Sequence, residues 1–482
     1  MARGDGRLTT DLEPDNPGPR DACGIVGIWA PGEEVAKLTY FGLYALQHRG
    51  QEAAGIAVAD GDRTVVYKDV GLVAQVFDEK TLAPLQGYVS IGHARYSTTG
   101  SSTWENAQPT IRANSNGVSI SLAHNGNLVN TADLAATAKA NGLPPGSMTS
   151  DTGVLTALLT GHESNDLAEA ACEVLPQVKG AYSLVFNDND TLYATRDPQG
   201  FRPLMLGKLD NGWMVASETA ALDTVGARFE REIEPGEIVS INENGVKSTH
   251  FTAPQPKQCL FEWAYLARPD SRIDGQTMYQ SRINVGRTLA REHPADADMV
   301  IGVPESGIPA AIGYATESKI PYGLGFTKNT YVGRTFIQPS ESLRKLGVRL
   351  KLNPLSDQIR GKRLVVVDDT IVRGTTQRAL VKMLRDAGAL EVHVRISAPP
   401  IKWPCFMGID FATREELIAN AYDLDGIRDQ IGADSLGYVS LDGLTAASEQ
   451  KADNLCRACF DGQYPVELPD NLGKNLLEIA ST

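Results

Sequence analysis

Residues 364–376 read LVVVDDTIVRGTT. A run of apolar, largely β-branched residues ends in two adjacent carboxylates, Asp368 and Asp369. A short loop carrying Arg373, Gly374, Thr375 and Thr376 follows. Apolar residues then recur at helical spacing (Ala379, Leu380, Met383, Leu384, Ala387) and stop at Gly388. The pattern predicts strand, tight loop, helix. Its physics is that of a phosphate cradle. Backbone N–H groups at a helix start point at an anion, and the helix dipole favours negative charge there. Gly374 lets the backbone approach closely, and threonine hydroxyls add donors. The two aspartates fall at the carboxyl end of a strand, where open α/β sheets place their ligands. An ordinary strand–turn–helix with solvated charges has the same outline, so the weight rests on the whole string and not on its Gly/Thr loop.

The same layout recurs outward from this stretch. Residues 299–303 (MVIGV) predict a short strand, followed by the loop PESG and a helical run from Ile308; residues 391–397 (EVHVRIS) predict another strand. Strands alternating with helices imply a parallel sheet. Closer to the N-terminus the pattern differs. Val118, Ile120 and Leu122 alternate with serines in a half-buried strand running into HNGN. Residues 181–186 and 192–194 flank an Asn/Asp-rich turn and predict a hairpin, and 151–174 carries the spacing of two helices. The polar, proline-bearing segment 252–258 (TAPQPKQ) is the expected junction between the two halves.

A chain of 482 residues is long enough for two or three domains. With 59 Asp and Glu against 45 Lys and Arg, the formal charge of −14 argues against nucleic acid as a partner. No apolar run approaches a membrane span, and residues 1–21 are polar and turn-rich, without the apolar core of a secretory signal. The expected location is therefore cytoplasmic, with no membrane partner. Six cysteines in such a chain point to chemistry or metal and not to a disulfide scaffold.

The polar N-terminal stretch ends abruptly at DACGIVGI (residues 21–28), a hydrophobic strand opening with Cys23 and interrupted by Gly24 and Gly27. A cysteine at a strand start is commonly a small core residue. Its companions alter that: QHRGQEAAG (47–55), GHARYSTT (92–99), ENAQP (105–109), AHNGNL (123–128) and SDT (150–152). Together these resemble the glutaminase domain of class II, N-terminal-nucleophile glutamine amidotransferases. The resemblance implies that residues 1–22 are a pro-segment removed to make Cys23 the first residue, whose freed α-amino group acts as base for its own thiol. A thiol needs such help to attack an amide. It further implies that Arg95 and Asp151 hold the α-carboxylate and α-amino ends of glutamine. Asn125 and Gly126 would form the oxyanion hole, and Arg49 and Gly50 would line the pocket. His48, His93 and His124 are expected to be packing residues, since the amine already supplies a base, and no H-x₃-H spacing suggests zinc. Cys172 is expected to be structural.

LVVVDDTIVRGTT resembles the signature of type I phosphoribosyltransferases, which bind phosphoribosyl pyrophosphate (PRPP). That resemblance places Asp368 and Asp369 against the ribose hydroxyls, and Arg373, Gly374, Thr375 and Thr376 around the 5-phosphate. The basic, aromatic loop FTKNTYVGRTFI (326–337) is similar to a loop thought to close over PRPP, with Lys328 and Arg334 reaching the pyrophosphate. Ser306 would join Asp368 and Asp369 around Mg²⁺, which keeps waters and bridges phosphate oxygens. Cys456 and Cys459 form a C-x-x-C, with Cys405 in PCFMGID and Cys259 in QCLFEWAYLARPDS. Four thiolates hold either zinc or an iron–sulfur cluster, and spacing does not choose between them. The flanking strings resemble the cluster-bearing branch of the amidophosphoribosyltransferase family, which implies a 4Fe–4S cluster stapling the C-terminal domain.

The implied architecture is an αββα glutaminase sandwich over residues 23–257. A phosphoribosyltransferase domain with a mostly parallel sheet would follow over 258–482, ending in a cluster-binding segment. The implied reaction converts glutamine, PRPP and water to 5-phosphoribosylamine, pyrophosphate and glutamate, the first committed step of purine synthesis. The family also implies a homotetramer inhibited by purine nucleotides. The rivals are another class II amidotransferase, with a sugar-phosphate isomerase partner domain, and a PRPP- or redox-sensing regulator with degenerate sites. The phosphate-loop string speaks against the first, and the retained Cys23, Arg95, Asn125, Asp151, Asp368 and Asp369 against the second.

Overall fold

The computed structural model describes residues 22–96, 103–143, 149–164, 166–329, 352–409 and 414–469. The pro-segment expected over 1–22 lies outside these except for Ala22, as does Arg334. The described chain forms two compact units. One comprises residues 22–282 with 402–409 and 445–469; the other comprises the described parts of 283–401 and 414–444.

The first unit is a sandwich of two antiparallel sheets. One has seven strands: β1 (Gly24–Trp29), β2 (Ala53–Ala59), β3 (Thr64–Val70), β4 (Val89–Arg95), and three more contributed further along the chain. The other has six, among them β5 (Thr110–Ala113), β6 (Ser119–Leu128), β7 (Gly180–Asn187) and β8 (Leu192–Arg196). Alternation puts one apolar set from each sheet into the shared interior: Ile25, Ala57 and Ile91 from the first meet Ala123, Val185 and Ala194 from the second. The outer face of the six-stranded sheet buries Ile120, Leu122, Leu184 and Phe186 under Leu134, Val154, Leu155 and Ala171 of three helices. On the seven-stranded sheet, Gly42 of helix Val35–Ala45 sits so close to Val26 and Met214 that an added Cβ would meet both at 3.1 Å. Four layers result, helix–sheet–sheet–helix, as expected. The predicted hairpin is β7–β8, and Cys172 packs against the helical layer.

The second unit holds a four-stranded sheet in the order Met299–Gly302, Arg363–Asp368, Glu391–Ile396, Ser435–Tyr438, every pair parallel. Leu364, Val366, Val392 and Val394 bury one face against Leu380, Leu384, Ile427 and Ile431. The helix predicted after the phosphate loop spans Thr375–Asp386. A helix at Ile308–Ser318 follows the first strand, and Gly307 lies so near the Val367 carbonyl that no side chain fits there.

The cysteine-bearing segments lie elsewhere than expected. The sequence placed them in a segment stapling the C-terminal domain. Instead Cys259, Cys405, Cys456 and Cys459 all belong to the first unit. The reason is local pairing: Gln258–Cys259 and Leu455–Cys456 form a short parallel ladder with Cys259 opposite Cys456. Leu260 N–H donates to the Cys456 carbonyl, and Cys259 N–H to the Phe201 carbonyl. The chain thus returns twice to the sandwich. The expected junction at 252–258 falls just after the last sandwich strand, Gly245–His250, inside the first unit.

Candidate active sites

Cys23 stands immediately before β1. Antiparallel pairing of β1 with β4 sets Gly24 opposite Ala94, which brings Cys23 beside Arg95 and Tyr96. Its Sγ donates to the Tyr96 carbonyl at 3.1 Å and accepts from the Tyr96 N–H at 3.3 Å. Only 5% of Cys23 is exposed. Burial pushes the thiol up to about 11, although the Tyr96 backbone and the Arg95 charge pull the other way. At neutral pH it is a thiol, and attack on an amide requires a base.

One pocket gathers Cys23, Arg95, Tyr96, Asn106, Gln108, His124, Gly126, Ser150 and Asp151. Asp151 opens helix Asp151–Thr160, where Ser150 caps the Gly153 N–H at 3.1 Å. Its carboxylate accepts from the Thr152 N–H at 2.7 Å and the Leu128 N–H at 3.3 Å, which fixes it at the helix start. Asn125 and Gly126 lie on β6, opposite Ser183 and Tyr182 of β7. Asn125 is fully buried, and neither its amide nitrogen nor its amide oxygen has a hydrogen-bond partner among the described residues. Buried amides are rarely left so; Asn125 itself is not among the residues lining the Cys23 pocket, although its neighbours His124 and Gly126 are. Gly126 presses against the Ala181 carbonyl so closely that a Cβ has no room.

Like Asn125, Arg49 and Gly50 are not among the residues lining this pocket. The Arg49 guanidinium is 1% exposed and spends its donors on two buried carboxylates: Nε on Glu218, and Nη2 on Glu262 at 2.7 Å. A charge this deep must be paired, and these carboxylates are its partners. Gly50 packs flat on the Ala94–Arg95 peptide, where any side chain would collide with the Ala94 carbonyl. Gly50 thus packs under the strand end that carries Arg95. The histidines behave as packing groups. His93 is buried, bonded through Nε2 to the His124 carbonyl at 3.0 Å, and burial lowers it to about 3. His48 pairs with Glu218 at 2.7 Å. His124 lies 3.6 Å from Asp151 and 3.2 Å from the Ala181 carbonyl, so it also borders the pocket.

In the second unit Asp368 ends its strand, and Asp369 and the loop follow. Ser306 Oγ donates to Asp369 at 2.6 Å, as does Thr370 Oγ1. The Asp369 N–H and the Gln377 amide both donate to Asp368. Burial, and next the neighbouring Asp369, raise the Asp368 carboxyl well above its usual range. Gly374 takes φ +78°, and a side chain there would meet Ile418 at 2.6 Å. Thr375 and Thr376 are exposed at the helix start. Arg373 pairs with Glu416 at 2.7 Å and Lys328 with Glu305 at 3.8 Å. Ser306, Lys328 and the 368–376 loop thus occur in one unit, with oxygen donors of the hard type Mg²⁺ prefers.

None of the six cysteines is in a disulfide. Cys405 and Cys456 pack in one cluster with Phe201 and Met407. The Cys459 carbonyl accepts from the Lys402 and Trp403 N–H groups, which ties the 402–405 segment to it. Burial first, then mutual repulsion among the four, raises the Cys456 and Cys459 thiols; Cys259 is pushed up to about 11. Among the described residues no group of three or more His, Cys, Asp or Glu is gathered closely enough to hold a metal ion. Single-ion zinc, with Zn–S of about 2.3 Å, needs thiolates in near contact. The four thiols are near enough to repel one another, but they are not drawn together as a ligand set among the described residues.

Sequence reasoning passed over Gln377, Glu218, Glu262 and Arg202. Gln377 sits one helical residue beyond the Thr pair, and its polar side chain on an apolar helix face was the available signal. The other three are lone charges in unremarkable strings.

Matches to known proteins agree with both sites. A glutamine amidotransferase domain model matches residues 93–224, and a phosphoribosyl transferase domain model matches 277–399. The amidophosphoribosyltransferase of Mycobacterium tuberculosis strain H37Rv is 61% identical, over 99% of this chain and 93% of that protein. That of Synechococcus elongatus is 50% identical, over 98% and 97%. The solved glutamine PRPP amidotransferase of B. subtilis, complexed with ADP and GMP, superposes with a TM-score of 0.87 at 45% identity, covering 94% of this chain and 99% of that one. A second structure, described as the allosteric regulatory enzyme of purine biosynthesis, gives 0.89 at 46% identity, covering 94% and 98%. With this similarity running through both units and both sites, the chain belongs to the amidophosphoribosyltransferase family.

Proposed function

We propose that the two sites divide between them the conversion of glutamine, PRPP and water to 5-phosphoribosylamine, pyrophosphate and glutamate. Removal of residues 1–22 frees the Cys23 amine, whose pKa near 8 lets it take the thiol proton. Sγ then attacks the glutamine side-chain amide, with Arg95 and Asp151 holding the amino-acid end. The amide of Asn125 and the backbone of Gly126 receive the oxyanion. The amine returns its proton to the leaving nitrogen and ammonia departs. Water, deprotonated by the same amine, cleaves the thioester to glutamate and the free thiol. The observation that carries this half is the buried, unpartnered Asn125 amide in the strand that borders the Cys23 pocket.

In the second site the 373–376 loop holds the 5-phosphate, Asp368 and Asp369 hold the ribose hydroxyls, and Lys328 and Arg334 serve the pyrophosphate. Asp368, Asp369 and Ser306 hold Mg²⁺, which when bound neutralises charge on the leaving pyrophosphate. Ammonia forms the new C–N bond at C1 as the bond to pyrophosphate breaks. Cys259, Cys405, Cys456 and Cys459 hold a 4Fe–4S cluster that stabilises the fold around them when bound. A cytoplasmic homotetramer inhibited by purine nucleotides is the family expectation; the ADP and GMP in the B. subtilis structure support its nucleotide part.

N-terminal sequencing alongside activity tests this reading. Active protein begins at Cys23 and carries iron and acid-labile sulfide in the ratio of the cluster. Full glutamine-dependent activity from a chain that retains Met1 contradicts the role of the amine.

A further inference from the structure

The 405–409 segment, which follows the sandwich only by a long excursion through the chain, lies directly against the strand that carries Asn125 and Gly126. Gly408 has φ +94°, and a Cβ there would stand 2.9 Å from the Gly126 Cα and 3.0 Å from its carbonyl carbon. On its other side Gly126 already meets the Ala181 carbonyl. The Gly126 peptide is therefore clamped between β7 and a loop. The next residue of β6 is tied to the same loop, since Asn127 Nδ2 donates to the Phe406 carbonyl at 3.0 Å.

One side chain holds this loop in place. Arg202 is fully buried and gives two donors to a single acceptor, the Met407 carbonyl: Nε at 3.0 Å and Nη2 at 2.8 Å. Its Nη1 donates to Glu262 at 3.1 Å, and Glu262 in turn pairs with Arg49. The Arg202 backbone is anchored as well, because Ser183 Oγ donates to its carbonyl at 3.0 Å, and Ser183 stands opposite Asn125 in the β6–β7 ladder. A paired, rigid guanidinium fork fixes a carbonyl in a way a flexible ammonium does not. Donors aimed at an oxyanion need placement within a fraction of an ångström.

We propose that Arg202 is a positioning residue for glutamine hydrolysis, acting through Met407 and Gly408 to set the Gly126 peptide. This rests on Asn125 and Gly126 being the oxyanion donors. Arg202→Lys keeps a charge opposite Glu262 but loses the double bond to Met407. Gly408→Ala pushes a methyl into Gly126. Gly245→Ala is the control for backbone strain alone, since Gly245 has φ +97° with nothing within 4 Å of an added methyl.

Kinetics of glutamate release, synthesis from ammonium chloride and alkylation of Cys23 by iodoacetamide are measured on each variant. Alkylation needs the thiol but no oxyanion hole. For Arg202→Lys and Gly408→Ala, kcat for glutamine falls by about tenfold to a hundredfold while KM stays within about twofold. Alkylation and ammonia-dependent synthesis hold at the wild-type rate, and Gly245→Ala changes nothing. Wild-type kcat in both variants overturns the proposal. Parallel loss of ammonia-dependent synthesis in both also overturns it, by making the role structural. Asn125→Ala separates the underlying reading: if that variant hydrolyses glutamine normally, the oxyanion assignment itself is wrong.

Discussion

The two sites solve different physical problems, and their construction differs accordingly. The Cys23 pocket is assembled from scattered segments: the start of β1, the end of β4, β6, the 106–108 stretch and the start of the 151–160 helix. It is buried almost throughout, with Cys23, Arg95 and Asp151 all at most 5% exposed. The phosphate site is one continuous strand–loop–helix, with Ser306 added from the loop after a neighbouring strand, and its threonines face solvent. Amide cleavage gains from donors fixed in advance in a dry pocket, where a water shell would weaken them. A substrate as highly charged as PRPP brings its own electrostatics, so a few backbone N–H groups at a helix start, with carboxylates beside them, suffice to receive it. The lesson is that the first site depends on distant scaffolding and the second on local geometry.

Substitutions sharpen or break that contrast. The largest effect belongs to the nucleophile: in Cys23→Ala, glutamate release from glutamine falls on the order of 10⁶-fold, the scale seen when a hydrolase loses its nucleophile. Replacing Asp368 and Asp369 together with Asn retains shape but removes two charges. Each charged hydrogen bond is worth roughly 1.5–3 kcal/mol, so PRPP-dependent synthesis falls about 10²-fold or more with glutamine and ammonia alike. Basal glutaminase survives in that variant, and its loss would tie the two chemistries together locally. Asn125→Ala lowers kcat for glutamine by about 10²–10³-fold and leaves synthesis from ammonia unchanged, read by steady-state kinetics.

Scaffolding is tested by Arg49→Met. It removes the buried cation that Glu218 and Glu262 share, leaving them His48 and Arg202, and costs roughly 3–5 kcal/mol, measured as a lower urea midpoint. In the wild type, burial disfavours the Glu218 charge, but Arg49 and His48 more than offset it and hold the carboxyl well below its usual value. A carboxyl depressed in the fold contributes stability above its unfolded value, near 4.5, and loses it as pH falls further. Arg49→Met should therefore show a shallower loss of stability on acidification below that pH. The smallest effect is a change of pH profile. In the intact chain, Cys23 alkylation rises toward pH 11, because burial holds the thiol protonated. In protein beginning at Cys23 the freed amine brings the rise down to about pH 8. Identical profiles would deny the amine its role.

What the sequence disclosed follows from the same contrast. The strand–loop–helix was legible because its pattern lies within a short consecutive stretch, and strand, loop and helix form where that pattern puts them. The sandwich was legible through alternation in β6 and the β7–β8 hairpin. The partners of Arg49 were not legible, because a string such as QHRG gives no sign of Glu218 and Glu262, which are more than 160 positions away yet capture its guanidinium. The cysteines were assigned to the wrong unit for a related reason. Chain order suggested the C-terminal half, but a two-residue parallel ladder at Cys259 and Cys456 returns them to the sandwich. Long-range pairing of short segments leaves almost no periodic trace.

The central claim is that ammonia release and ammonia use are separate chemistries on separate units. Synthesis of 5-phosphoribosylamine by Cys23→Ala, supplied with PRPP and ammonium chloride in place of glutamine, tests it most directly. The account predicts a rate close to that of the wild type under the same conditions. A variant that folds normally, by its melting profile, yet makes no product from ammonia would contradict it.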